Sequence, residues 1–133
     1  MLYIPQEISE SESKKLMQDV SGLDALRKGE VMGLITRLGS DPKQLLQSSV
    51  PSPGEVRKLM LALGMEKKPG LIIMDEPTNH LDTEAIELLE TALTAYEGAL
   101  LLVSHDRPFL ERTVNRRWHF VSRGTEVVIT EAH

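Results

Sequence analysis

Apolar residues recur along this chain in two rhythms. From Ile8 to about Leu63 they fall at helical spacing, as in Val31, Ile35 and Leu38, or Leu59 and Leu63. GSDPK and SSVPSPG interrupt that pattern and separate helices. From Leu71 the rhythm changes: LIIM (71–74) and ALLLV (99–103) are short continuous apolar runs, the pattern of strands covered on both faces. Between them, EAIELLETALTAY sets Ile86, Leu89, Leu93 and Tyr96 on one helical face. This is the pattern of a β-α-β unit, whose functional groups gather in the crevice beyond the strand C-termini. RPFLERTV then predicts a short helix, and RRWHFV and EVVIT a hairpin about SRGT. The fold class is α/β with parallel strands and a helical segment.

Composition narrows this only a little. A chain of 133 residues fits one compact domain or a piece of something larger. With 41% hydrophobic and 26% charged residues and a formal charge of −5, it does not read as a mainly electrostatic nucleic-acid or membrane binder. Arg112, Arg116 and Arg117 beside Trp118 form a basic cluster, read in a net-acidic chain as a solvated face. The absence of cysteine excludes disulfides and thiolate metal sites and suits a cytoplasmic home. No apolar run is long enough to span a bilayer, and the N-terminus lacks a basic segment followed by an apolar stretch.

The chemistry concentrates at the two strand ends. Asp75 and Glu76 leave the first strand, and His105, in SHD, leaves the second, so all three can face one crevice. Adjacent carboxylates suit a hard cation on a nucleotide phosphate and the activation of a water; a histidine there adds a contact to the phosphoryl group.

LIIMDEPTNHLD followed by LLLVSHD resembles the Walker B, D-loop and H-loop segments of ABC-type ATPases, and EPTNHLD is most similar to the ABC-F subfamily, cytoplasmic proteins with paired ATPase domains. YIPQE resembles the Q-loop, and PSPGEVRKLMLAL the signature segment and its helix, so the resemblance covers essentially the whole chain. It implies ATP and Mg²⁺ as ligands. Gln6 is then the Q-loop glutamine near Mg²⁺ and the attacking water. Asp75 holds Mg²⁺ through water, Glu76 is the general base or the residue that orients the water, His105 contacts the γ-phosphate and Asp82 acts across a dimer interface or only caps the next helix.

The signature segment departs from the family's Leu-Ser-Gly-Gly: Pro51, Ser52, Pro53 and Gly54 stand there, followed by Glu55. Ser52 and Glu55 have capping-box spacing and Pro53 falls at the first helical position. The helix start should survive, and the resemblance has it grip the γ-phosphate of the opposite subunit, with one amide lost to Pro53.

A phosphate loop of the form G-x-x-x-x-G-K-[ST] is not found, since none of the nine glycines precedes Lys-Ser or Lys-Thr. The family places that loop upstream of the Q-loop, and the chain opens five residues before Gln6. The expectation is the later portion of a P-loop ABC ATPase domain, with its nucleotide-binding core at 1–6 and 65–133 and a helical subdomain at 7–64. The chain alone should bind ATP poorly and hydrolyse it negligibly. Its partner is a second ATP-binding domain, and ribosome contact follows from resemblance only. An uncovered sheet edge predicts self-association. A transporter ATP-binding subunit, a non-catalytic module lending its signature face to a complete partner, and a chromosome-maintenance ATPase are the alternatives; the last is disfavoured by the short helical segment.

Overall fold

A computed structural model describes residues 1–132. Strands β1 (Leu2–Ile4), β2 (Leu71–Asp75) and β3 (Ala99–Val103) form a parallel sheet in that order. Ile4 stands opposite Met74, and Asp75 opposite Val103. One face of the sheet is sealed: Ile4, Ile72 and Met74 are buried against Leu61, Leu89, Leu93 and Phe109, and Leu100 and Leu102 pack on the same cluster. The other face is open, with Tyr3 49%, Leu101 44% and Val103 53% exposed. The two apolar runs are therefore covered on one face, not two. Continuous apolar sequence reports what a strand is suited to, and here the helices of the chain reach only one side of it.

Four helices lie between β1 and β2: α1 (Glu10–Ser21), α2 (Ala25–Arg37), α3 (Pro42–Gln47) and α4 (Pro53–Glu66). Each begins at a side-chain cap, from Ser9, Asp24, Asp41 and Ser52 respectively, which satisfies an otherwise orphan amide. The GSDPK break contains one of these starts: Asp41 caps and Pro42 supplies a preset φ, so a short helix begins where the pattern shows only an interruption. Val20, Val31, Ile35, Leu45, Leu59, Ala62 and Leu63 form a second apolar cluster. Helix α4 serves both clusters, with Leu61 facing the sheet and Leu59, Ala62 and Leu63 facing the other helices. Its last turn lies against β1, and a Cβ built on Gly64 would meet Leu2 Cγ at 2.8 Å.

Helix α5 (Thr83–Ala95) crosses from β2 to β3, buries Leu89 and Leu93 on the sealed face and starts at the Asp82 cap. Helix α6 (Arg107–Thr113), capped by Asp106, buries Phe109 in the same cluster. The chain then forms an antiparallel hairpin, β4 (Arg117–Arg123) with β5 (Glu126–Ala132), around a loop in which Gly124 has φ +64. Arg112 pairs with Glu90, Arg116 with Glu131 and Arg117 with Glu111, so each arginine of the basic cluster has a carboxylate partner.

Candidate functional site

The parallel pairing of β2 and β3 brings two chain exits to one end of the sheet. Glu76 follows Asp75, and its N–H donates to the Val103 carbonyl at 2.7 Å, extending the ladder past the strand. Glu76 has φ +48 and His80 φ +64, left-handed conformations that cost a residue with a side chain. Two further bonds close the loop into α5: Asn79 N–H donates to Glu76 O, and Leu81 N–H to Thr78 O, both at 3.2 Å.

His105 leaves β3 beside this loop. Its Nδ1 lies 2.5 Å from Glu76 Oε1, and its backbone N–H is 3.5 Å from Oε2. The Glu76 side chain is 13% exposed and that of His105 is 96% exposed. The carboxylate is thus sheltered and oriented while the imidazole faces solvent. With Nδ1 engaged, Nε2 is the ring nitrogen left to meet a ligand.

Arg57, on α4, is a buried charge at this end of the sheet, 6% exposed. Its Nη2 donates to the carbonyls of Asp75 (3.0 Å) and Glu76 (2.8 Å), and its Nη1 to that of Asn79 (3.2 Å). Burial draws the guanidinium below its ordinary range, opposed by the charges of Asp75 and Glu76. Nε has no partner. Sequence reasoning passed over Arg57, yet a signal is present: it stands four residues before Leu61, on the helical stripe that faces the sheet.

The remaining candidates lie around this centre. Gln6 is exposed in the segment that follows β1, and so leaves the same end of the sheet as Glu76. Ser52 Oγ accepts from Glu55 N–H and Glu55 Oε1 accepts from Ser52 N–H, both at 3.2 Å, a complete capping box with Pro53 in the first turn. Gly54 sits near the loop, since a Cβ there would lie 3.6 Å from His80 O. Asp82 Oδ1 accepts from Ala85 N–H at 2.8 Å, so its observed contact is the cap of α5.

The donor set fits Mg²⁺ in one way only. Among the described residues no group of three or more His, Cys, Asp or Glu side chains could hold a metal ion. Asp75 is half-buried, and Arg57 binds its carbonyl and leaves its carboxylate oxygens to other partners. One carboxylate with water and phosphate oxygens is how Mg²⁺ is commonly held on a nucleotide.

Parallel strands covered by helices on one face, with acids leaving one strand and a histidine leaving its neighbour, fit an ABC-type ATPase fold. A solved ATP-binding subunit of an ABC transporter superposes with TM-score 0.67 at 25% identity, over 86% of this chain and 52% of that one. No protein-family model matches. The chain is 42% identical over 98 residues to the ATP-binding protein Uup-like of Haemophilus influenzae, covering 73% of this chain and 21% of that protein. It is 37% identical over 123 residues to the ribosome protection protein VmlR of Bacillus subtilis, covering 92% of this chain and 20% of that protein. The chain belongs with the ABC-type ATPases of the Uup, or ABC-F, kind, and matches a C-terminal portion of their ATPase domain. It spans about a fifth of the length of these curated relatives.

Proposed function

We propose that this chain is the catalytic-carboxylate portion of an ABC-F-like ATPase, in which ATP bound between paired domains drives a conformational change. The observation that carries this is the sheltered Glu76 carboxylate, held by His105 at the end of two parallel strands beside Asp75. In this reading Asp75 would hold Mg²⁺, Glu76 would take the proton of the attacking water and His105 Nε2 would meet the γ-phosphate. Gln6 would lie toward the metal and the water. Ser52 and Gly54 present the start of α4 to a nucleotide on the partner domain, and Asp82 lies toward that domain. Likeness to VmlR favours a ribosome-linked partner over a membrane one. The chain contains no G-x-x-x-x-G-K-[ST] loop, so by itself it binds Mg·ATP weakly and turns it over negligibly.

The test joins this chain to a phosphate-loop-bearing segment of an ABC-F domain and compares Glu76 with Glu76→Gln. The amide keeps the shape and removes the base, so turnover falls about a hundredfold or more while Mg·ATP affinity stays within about threefold. Turnover by Glu76→Gln within about threefold of the parent sinks the assignment.

A further inference from the structure

We propose that Arg57 is a positioning residue for Glu76, clamping the carbonyls of Asp75, Glu76 and Asn79 so that the loop after β2 keeps the turn that aims the Glu76 carboxylate at His105. The inference rests on reading Glu76 as the hydrolytic base; the clamp itself is a property of the ATP-free chain.

Three observations converge on it. Glu76 and His80 hold left-handed backbone conformations within five residues, and such conformations persist only where surrounding structure over-determines them. The ladder bond from Glu76 N–H to Val103 O fixes one side of the loop, and the carbonyls of Asp75, Glu76 and Asn79 accept from the Arg57 guanidinium, the Glu76 carbonyl also accepting from Asn79 N–H. Arg57 is the group that gathers them: one planar fork reaches all three, a geometry lysine's single ammonium cannot reproduce. Arg57 also sits five residues after the Ser52 cap on the same helix. Any shift at the start of α4 is therefore passed to the loop through a rigid turn and a half of helix and a side chain with little room to move.

An Arg57 that merely anchored α4 to the sheet would loosen everything that packs on α4 when replaced. A positioning Arg57 loosens the loop first. Amide hydrogen exchange of the 133-residue chain, resolved by residue and without nucleotide, separates the two. In Arg57→Met, which keeps the apolar stem, the Asn79 and Leu81 amides should exchange about tenfold or more faster than in the parent. The Val31 and Ile35 amides of α2 should change less than about twofold. Arg57→Lys, which keeps the charge, should restore part of the protection and carries the same comparison if the methionine variant does not fold. Equal acceleration at all four amides overturns the proposal, and so does unchanged exchange at Asn79 and Leu81. Because no ATP is present, failure here leaves the hydrolytic reading of Glu76 standing, and failure of that reading leaves the clamp.

Discussion

Nδ1 of His105 lies 2.5 Å from Oε1 of Glu76, a residue 29 positions earlier in the chain. The β2–β3 pairing makes this contact possible, because parallel neighbours in register release their chains at one end. A carboxylate held on one oxygen by an imidazole has lost most of its rotational freedom before any substrate arrives, which is the pre-organisation that proton abstraction needs.

Removing the imidazole should therefore cost more in rate than in binding. With the chain joined to a phosphate-loop segment, His105→Ala should lower kcat by about tenfold or more and leave Mg·ATP affinity within about threefold. Steady-state kinetics beside nucleotide titration decides it, and equal losses in both would mean that His105 serves ground-state binding.

The open face of the sheet should drive association. Tyr3, Leu101 and Val103 present apolar surface there, and the free edge of β3 presents unpaired backbone groups. Light scattering after size exclusion should show dimers or larger species that dissociate on dilution, and Leu101→Lys should shift the chain to monomer. A parent chain that is monomeric at every concentration contradicts this.

Two glycines in helices should respond to alanine in opposite directions. Alanine is favoured in a helix interior by about 1 kcal/mol, and Gly29, with nothing within 4 Å of a built Cβ, should gain roughly that much. At Gly64 the new Cβ meets Leu2 at 2.8 Å or closer, between α4 and the sheet. Overpacking costs about 1–3 kcal/mol, so Gly64→Ala should be destabilised by about 1 kcal/mol net. Thermal denaturation should raise the first midpoint and lower the second by roughly 3–5 °C each.

Glu66 and Arg27 tie the end of α4 to the start of α2, with Nε–Oε1 at 2.9 Å and Nη2–Oε2 at 3.2 Å. The hydrogen bond from Arg27 holds the Glu66 carboxyl below its ordinary value of 4.5. A carboxyl with a depressed folded-state pKa stabilises the fold above its unfolded value and loses that contribution as pH falls through the folded one. Urea denaturation should show Arg27→Met less stable than the parent at pH 7. The gap should close as pH drops below about 4.5.

Much of the fold is legible because its signals are local. The apolar runs, Gly124 between β4 and β5, and the spacing of Ser52 and Glu55 each act on their own neighbours. Coverage of the strands is not local: the same ALLLV serves a strand with two covered faces or one, and only the placement of α4, α5 and α6 decides. Helix α3 hides because Asp41 and Pro42 belong equally to turns and to helix starts. At the site, Asp75, Glu76 and His105 are readable as neighbours from the strand ends. Arg57 is legible only as a residue on the stripe of α4 that faces the sheet, not as a neighbour of the loop, because its partners are backbone carbonyls, which have no sequence identity.

The hairpin of β4 and β5 packs mainly on itself, and Trp118, Phe120, Val127 and Ile129 are all more than half exposed. A two-stranded ribbon without a covering layer is marginal in water. It is held by its own cross-strand pairs and by the Arg117–Glu111 ion pair to α6, so its amides should exchange faster than those of β2. Fraying of the ribbon should then leave the strand ends that carry Glu76 and His105 paired, since those ends belong to the other sheet.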